Sequence, residues 1–381
     1  MVLMNSKQRF LTALKKGKPD CVPASPDCSN MVPCKLTGKP FWDIYLYGNP
    51  PKHIAYLEML KKFKFEGGWE TGPGLGRSKE DKVETESKII EKTDECITTK
   101  NILHTPEGDL WNEIVYWKNS PPTQKRRIIK DVEKDFKLYL KYFFPDPASC
   151  DDAEFQKWKQ AIGDSGVAAL GVSPPGFQCL ISDFDGGLEA ITYAYYDYPE
   201  LFEQYKEIFE NHAVLEMKRV IQAKPDVIRT GGSGTLTLQS PEIFRKLGLP
   251  CLKKITKMAK DAGIPTLVHS CGKEKELVQI CADETDLDGI NPLEIPPMGD
   301  CNLKELKAKF GTRICLMGNL HTVDVMMKGT VKQVEDAAKK AIDDAAEGGA
   351  FILSTGDQCP GDTPEENIFK LIEVARTYGK Y

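Results

Sequence analysis

Short apolar runs alternate with amphipathic segments from residue 131 to the end of the chain, a pattern that predicts buried strands separated by helices. The predicted strands lie at residues 166–172, 226–230, 265–269, 289–293, 313–317 and 350–354. The predicted helices include residues 199–223, 241–262, 303–310 and 331–347. Strands that alternate with helices form a parallel sheet, and so many units favour closure into a barrel. We therefore predict an α/β fold of the (β/α)8 TIM-barrel type.

An open, doubly wound sheet is the alternative fold. No G-x-G-x-x-G motif follows any predicted strand, which makes this alternative weaker.

The sequence also predicts where two helices begin, at Ser240-Pro-Glu242 and at Thr363-Pro-Glu-Glu366. Each offers a hydroxyl for the N-cap, a proline for the first turn and early carboxylates.

The amino-terminal third, residues 1–130, has a less regular pattern. Helices are predicted at residues 5–17 and 54–63, with a short strand at residues 21–24 between them. Residues 82–117 contain alternating, β-branched segments around a turn at residues 105–109, which predicts a β-hairpin insertion. We expect a single barrel domain over residues 1–381, with an N-terminal extension and this insertion.

Composition excludes several classes of function. A hydrophobic content of 41% in 381 residues is enough for a sizeable core, and a formal net charge of −5 argues against a nucleic-acid partner. No run of 18 apolar residues is present, and residues 1–10 lack the apolar stretch of a signal peptide. The twelve cysteines show no repeating spacing, so we expect reduced thiols in a cytoplasmic protein. An environment low in oxygen would allow a protein to keep so many free thiols.

The segment Pro265–Gly272 carries the first candidate chemistry. His269 and Cys271 stand two apart at the end of a predicted strand, where side chains two apart project to the same side. An imidazole beside a thiol suits zinc, which prefers nitrogen and sulfur ligands. The alternative is a hydrogen-bonded histidine beside an inert thiol.

Two other predicted strand ends carry further ligands. Glu294 follows the strand at residues 289–293, and Cys359 lies in the loop after the last strand. In a barrel these loops converge on one face, where the active site is expected. A zinc ion bound by His269, Cys271 and Cys359, with Glu294 or water as the fourth ligand, is compatible with this architecture. His321 also follows a strand and is a candidate to support the site or bind substrate.

Four segments give the chain a family resemblance: Ser240–Glu242, Pro265–Gly272, Met317–Leu320 and Thr363–Asn367. They resemble the uroporphyrinogen decarboxylase superfamily, which implies a (β/α)8 barrel. The decarboxylases of that superfamily hold their substrate with arginines from the amino-terminal strand and have a histidine in the last loop. Residues 21–50 of this chain contain no arginine, and its last loop reads Gly356-Asp-Gln-Cys359.

An H-x-C motif followed by a cysteine in the last loop resembles the zinc signature of the corrinoid-protein methyltransferase branch. This resemblance implies bound Zn²⁺ and a methyl transfer involving the corrinoid of a separate corrinoid protein, since no D-x-H-x-x-G cobalamin motif is present. Residues 291–297 resemble a subgroup that uses small methyl donors. We favour transfer from an aryl methyl ether to Co(I), in which zinc neutralises charge on the leaving oxygen.

Other functions are compatible with the same residues. One is transfer from a methyl-corrinoid protein to a thiol or to tetrahydrofolate, in which zinc keeps the acceptor thiol deprotonated. A decarboxylase-like enzyme and a zinc-stabilised scaffold barrel are further alternatives. The sequence is also compatible with a homodimer.

Several residues are candidates to bind the small substrate. Arg229 and Asp185 could orient a polar substituent, and Asn319 could form a hydrogen bond to it. The amino-terminal third also supplies aromatic side chains that could line a pocket for a ring: Phe41, Trp42, Tyr45, Tyr47 and Trp69. Each of these residues could equally serve the fold, as an ion pair, a loop cap or part of the core.

Overall fold

The amino-terminal third carries four helices and a separate antiparallel sheet. The computed structural model describes residues 3–381, so residues 1 and 2, part of the segment without a signal-peptide pattern, lie outside the described residues. The helices are α1 (Ser6–Leu14), α2 (Met31–Leu36), α3 (Phe41–Tyr45) and α4 (Lys52–Phe63). The strands are β1 (Glu84–Lys92), β2 (Cys96–Thr105), β3 (Gly108–Trp117) and β4 (Thr123–Arg126), paired in that order.

This antiparallel sheet corrects the predicted hairpin insertion. The predicted turn joins β2 to β3, but β1 and β4 extend the hairpin to four strands and carry the insertion to Arg126. All residues of β1 and β4 are exposed. Neither strand therefore has the alternation of buried and exposed positions that marks a strand in a sequence.

The rest of the chain alternates strands with helices, as the sequence predicts. The six strands are β5 (Ala169–Gly171), β6 (Val227–Gly231), β7 (Thr266–His269), β8 (Gly289–Asn291), β9 (Cys315–Leu320) and β10 (Phe351–Thr355). The helices are α5 (Lys137–Tyr142), α6 (Ala153–Ile162), α7 (Phe177–Leu180), α8 (Gly187–Asp197), α9 (Pro199–Ala223), α10 (Pro241–Leu247), α11 (Leu249–Asp261), α12 (Lys275–Glu284), α13 (Leu303–Phe310), α14 (Val331–Ala345) and α15 (Glu365–Thr377). The strands form one parallel sheet in the order β10-β9-β8-β7-β6-β5, so the fold is α/β.

Two short amino-terminal segments lie between the outer strands of this sheet. Ser25 donates its amide to the carbonyl of Leu353 in β10 at 2.8 Å. Glu66 donates to Ala24 at 2.8 Å, and Val167, just before β5, donates to Gly67 at 3.0 Å. The predicted strand at residues 21–24 is thus present only as isolated bridges, at Cys21 and Ala24.

The two faces of the parallel sheet pack against different partners. Side chains such as Ile228 and Val268 belong to the large core shared with the surrounding helices, whereas Val227 and Leu267 pack with α1 on the opposite face. Gly289 admits α1, because a Cβ there would lie 2.5 Å from a methyl group of Leu14. Helix α1 thus fills one end of this face and leaves the carboxyl ends of the strands for the site.

Two helix predictions need correction. The helix predicted at residues 241–262 is divided at Gly248 into α10 and α11, because Pro250 cannot donate a hydrogen bond to a continuous helix. Ser240 caps α10 as predicted, accepting the amide of Ile243 at 3.3 Å. Thr363 does not cap α15, which begins at Glu365 after Pro364; the buried Thr363 hydroxyl has no hydrogen-bond partner.

No helix within residues 3–381 is long and apolar enough to cross a membrane.

Candidate metal centre

His269 and Cys271 come together at the carboxyl end of β7. The Nε2 atom of His269 lies 3.3 Å from the Sγ atom of Cys271. The Ser233 hydroxyl, from the loop after β6, lies 3.4 Å from each of these atoms. After Cys271 the chain turns at Gly272, whose φ of 96° favours glycine and whose Cβ position would clash with Thr237. The two side chains therefore project to the same side, as expected at a strand end.

Asp357 is the third member of the group, from the loop after β10. One ligand atom each from His269, Cys271 and Asp357 lie within 4.8 Å of one another. The φ of Asp357 is 126°, a conformation that costs a non-glycine residue free energy and is found mostly at functional sites. The Thr355 hydroxyl donates to the Asp357 carbonyl at 2.6 Å and holds this turn. Sequence reasoning identified the loop but missed Asp357; the signal was a carboxylate close after a strand end.

Cys359, the ligand predicted from the same loop, is fully buried and lies outside this three-residue group. Its amide donates to the carbonyl of Asp27 at 2.7 Å. Its thiol lies beside the Cys28 thiol, and the interaction between the two thiols together with burial raises the pKa of Cys28 well above its usual value. Cys28 has no metal-ligand spacing in the sequence, so its position beside Cys359 was not foreseen.

Glu294, the predicted fourth ligand, lies beside the centre but binds a backbone group. Its carboxylate accepts the amide of Gly272, directly after Cys271. The backbone before it is fixed by Glu274, a fully buried residue whose carboxyl accepts the amide of Leu293 at 2.7 Å and that of Glu294 at 3.4 Å. Burial raises the pKa of both carboxyl groups. Glu274 was also missed, since nothing in the sequence separates it from a surface glutamate at a helix start.

The charges around the centre fit a cation. Burial and the nearby Asp357 carboxylate raise the pKa of the Cys271 thiol far above its usual value. Burial also raises the pKa of Asp27, and the proximity of His269 opposes that shift. Imidazole nitrogen, thiol sulfur and carboxylate oxygen are the donors that zinc binds in proteins. A divalent cation would offset the cost of burying these acidic groups, so the residues present fit zinc.

A cavity of about 350 Å³ lies near the centre, and Trp69 links the two; none of His269, Cys271 and Asp357 is among the residues that line it. Trp69, Arg229, Lys52 and Glu70 are among the residues that line it. The Trp69 ring lies 6.1 Å from the His269 ring, centroid to centroid, and its indole N–H donates to the Ser25 hydroxyl at 3.0 Å. Two predicted substrate residues, Trp69 and Arg229, therefore lie where a small molecule could bind next to the metal ligands.

The other predicted substrate residues are engaged within the fold. Asp185 pairs with Arg126 of β4, with a closest approach of 2.6 Å. Asn319 donates its side-chain amide to the carbonyl of Leu293 at 2.9 Å. The His321 ring accepts the amides of residues 323 and 324 and caps a short helical turn. None of the three is among the residues that line the 350 Å³ cavity.

Comparison with known families gives one match to a family model. The model described as uroporphyrinogen decarboxylase (URO-D) matches residues 183–378, just over half of the chain. A solved structure described as a methyltransferase from Methanosarcina mazei covers 98% of this chain and 99% of its own, with a TM-score of 0.68 and 20% identity. At that identity the similarity establishes the shared fold.

Two curated relatives are similar to part of the chain, and both are named methylcobamide:CoM methyltransferase MtbA. The protein from Methanosarcina mazei is 31% identical over 137 residues, and that from Methanosarcina acetivorans is 30% identical over 137 residues. Each match covers 36% of this chain and 37% of the relative. The chain therefore matches little more than a third of the length of these relatives.

Proposed function

The chain belongs to the uroporphyrinogen decarboxylase family, and we propose that it is a zinc-dependent methyltransferase acting with the corrinoid of a separate protein. The observation that carries the proposal is the group of His269, Cys271 and Asp357, whose ligand atoms lie within 4.8 Å at converging strand ends. The names of the two curated relatives support methyl transfer over decarboxylation. The absence of arginine from residues 21–50 supports the same choice.

The zinc ion is held by His269, Cys271 and Asp357 in this proposal, and the two other ligands predicted from the sequence, Cys359 and Glu294, are candidates for the fourth position. Bound there, zinc would supply the positive charge that lowers the pKa of a substrate thiol or neutralises a leaving phenolate oxygen. Cys271 must give up its proton to become a ligand.

The surrounding residues position these ligands. Glu274 fixes the backbone that carries Glu294, and Thr355 holds the turn that presents Asp357. Trp69 is 2% exposed, and its ring lies beside that of His269, so an apolar surface borders the metal ligands. A preorganised, partly dry site strengthens the electrostatic interactions on which the reaction depends.

Two classes of small substrate fit this proposal, a thiol acceptor and an aryl methyl ether donor. Features of the structure bear on which of the two we favour. The sequence favours an aryl methyl ether as donor, with five aromatic residues available for a ring pocket. Of these five, Trp69 lines the 350 Å³ cavity, whereas Phe41 and Tyr45 pack in a separate cluster and Tyr47 is exposed. The relatives' printed name includes the thiol CoM. We therefore place a thiol acceptor, methylated from the corrinoid protein, ahead of the ether donor.

The proposal also includes the architecture that docking requires. We interpret the segment around Ala24, hydrogen-bonded to β10, and the segment around Gly67, hydrogen-bonded to Val167 just before β5, as the strands that complete an eight-stranded barrel. The rim at the carboxyl ends of its strands is then the surface on which the cytoplasmic corrinoid protein docks.

The experiment combines metal analysis with a methyl-transfer assay. We expect about one zinc ion per chain, as for a single four-ligand site, and methyl exchange between a corrinoid protein and a thiol, followed by the corrinoid absorbance. Cys271→Ser should lose both properties, whereas Cys96→Ser, in the antiparallel sheet, should keep both. A methoxybenzene that converts a Co(I) corrinoid into methyl-Co(III) would restore the ether donor to first place.

Three outcomes would contradict the proposal. A chain that binds no zinc removes the metal centre. A chain that binds zinc but transfers no methyl group in either direction is the scaffold barrel. Decarboxylation of uroporphyrinogen by the wild-type chain would assign the other activity of the family.

A further inference from the structure

Two positively charged side chains line the 350 Å³ cavity beside the metal centre. Arg229 projects from β6, and Lys52 is the first residue of α4. Both are partly buried. Much of the rest of the wall is backbone and small residues, with Gly72, Gly74 and Gly171 among them. The cavity therefore presents two cations to a small, otherwise uncrowded space.

Neither cation has a carboxylate partner. Arg229 donates from Nη1 to the backbone carbonyl of Glu70 at 2.7 Å, and Lys52 donates to the side chain of Asn30 at 3.1 Å. Within residues 3–381, no carboxylate oxygen lies within 4.0 Å of either charged group. Buried or partly buried charges are normally paired, because removing a charge from water is costly. Two unpaired cations in one cavity are thus an unusual arrangement.

The cations also act on each other and on nearby acids. Burial lowers the pKa of Lys52, and the positive charge of Arg229 lowers it further. Burial lowers the pKa of Arg229, and the nearby Glu70 and Asp27 carboxylates oppose that shift. However, burial and the Asp27 carboxylate raise the pKa of Glu70 to about 8, so Glu70 is mainly neutral at neutral pH. Glu70, the acidic residue in the cavity wall, therefore supplies an incomplete counter-charge.

The cavity is within a short molecule's reach of the metal ligands. In the parallel register, Arg229 of β6 lies opposite Leu267 and Gly231 lies opposite His269. His269 therefore lies on the adjacent strand, two residues beyond the position opposite Arg229. Standard strand spacings place the Cα atoms of Arg229 and His269 about 8 Å apart. Trp69 contacts both regions, since it lines the cavity and lies beside the His269 ring.

We propose that this cavity binds the anionic group of the small substrate, a carboxylate or sulfonate held by Arg229 and Lys52 while the reacting atom faces His269 and Cys271. The planar guanidinium suits two parallel hydrogen bonds to such a group, and Lys52 adds a second charge. The identity of the reacting atom rests on the proposed methyl transfer. The charge of the substrate follows from the cavity alone, and it applies equally to a thiol acceptor and to an ether donor.

The test compares matched substrates that differ in charge. The thiols are 2-mercaptoethanesulfonate, 3-mercaptopropanoate and the neutral 2-mercaptoethanol; the ethers are 4-methoxybenzoate and methoxybenzene. We expect the KM for the anionic member to be lower by about 10- to 100-fold, as for hydrogen bonds to charged groups. Arg229→Gln and Lys52→Gln should each raise the KM for the anion and leave that for the neutral compound nearly unchanged. Arg229→Lys should restore part of the preference.

Lys61→Gln is the matched control, because Lys61 lies on the same helix as Lys52 but is exposed and paired with Glu58. A role of Arg229 or Lys52 in folding alone would change both members of each pair equally, and that result would overturn the inference. So would equal KM values for anionic and neutral substrates in the wild-type chain.

A binding measurement without turnover separates this inference from the proposed function. Saturation-transfer NMR with ethanesulfonate and with ethanol should show contact with ethanesulfonate alone, lost in Arg229→Gln. Charge-selective binding in a chain that transfers no methyl group would support the cavity and refute the methyltransferase. Methyl transfer without any charge selectivity would support the proposed methyltransferase activity and refute the proposed binding of an anionic group in the cavity.

Discussion

The loops after β7 and β10 each carry two candidate ligands spaced two residues apart, yet they present them differently. Both His269 and Cys271 reach the metal centre, whereas Asp357 reaches it and Cys359 lies against Cys28. Side chains two apart share a face only while the backbone between them stays extended. Asp357 has a φ of 126°, so the alternation does not continue to Cys359. Spacing therefore predicts the direction of a side chain only as far as the backbone stays extended.

The two loops also differ in what supports them. The loop after β7 rests on its neighbour in the sheet, since Ser270 donates its amide to Asn291 at 2.9 Å. The loop after β10 rests on the amino-terminal segment: the Asp27 amide donates to the Thr355 hydroxyl at 3.0 Å, and the Ser354 hydroxyl donates to Ser25 at 2.6 Å. Those partners are 328 or more positions away in the sequence. The first loop is therefore supported by neighbouring strand ends, and the second by a segment from the other end of the chain.

The largest loss of zinc affinity is expected from a substitution in the loop after β7. Cys271→Ser removes the soft donor of the three-residue group, so zinc affinity should fall by more than the roughly 100-fold typical of residues that only support ligands. Competition with a chromophoric chelator measures the affinity. Cys96→Ser, a partly exposed cysteine in the antiparallel sheet, should leave it unchanged. Equal zinc binding by Cys271→Ser and wild type would mean that the metal lies elsewhere.

A comparison of Asp357→Asn with Cys359→Ser tests the loop after β10. The geometry predicts a fall of about 10- to 100-fold for Asp357→Asn, since a neutral amide replaces a charged ligand. Substitution with Co²⁺ counts the sulfur ligands through the thiolate-to-metal absorption. If Cys359 leaves Cys28 when metal binds, Cys359→Ser should lose about half of this absorption; with Cys271 as the sole sulfur ligand, the absorption should be unchanged.

These differences explain how much the sequence could predict. The β/α alternation, the six parallel strands and the pairing of His269 with Cys271 depend on local patterns and were predicted. Asp357 and Glu274 were missed because their roles depend on a left-handed turn and on a buried helix start, neither of which has a local signature. Strand β4 lies beyond the predicted insertion and was missed because a strand without a buried face shows no hydrophobic period.

Glu70 provides a pH-dependent test of the buried region around Asp27, whose backbone supports the loop after β10. Burial and the Asp27 carboxylate raise its pKa from 4.5 to about 8, so the folded chain retains a proton that the unfolded chain releases. Its stabilising effect is thus complete below about pH 4.5 and is lost as the pH rises through about 8.

Glu70→Gln removes this titration while keeping an acceptor for the Tyr56 hydroxyl. Relative to wild type, the variant should gain roughly 1–3 kcal/mol in free energy of unfolding between about pH 5 and about pH 8. Urea unfolding at several pH values measures the difference, and Glu58→Gln, an exposed site on α4, serves as the control. A difference that does not change with pH would show that Glu70 is ionised in the folded chain.

The smallest effect is expected from Ser233, which supports the loop after β7 from outside the group of ligands. Its hydroxyl lies 3.4 Å from both the His269 Nε2 atom and the Cys271 Sγ atom, so it orients two ligands without replacing either. Ser233→Ala should weaken zinc binding by about two- to fivefold, the equivalent of one modest hydrogen bond. Ser87→Ala, in which an exposed hydroxyl is lost from β1, should have no effect. A loss as large as that of Cys271→Ser would make Ser233 a ligand, and the loop after β7 would then depend on a contact from a second loop, as the loop after β10 does.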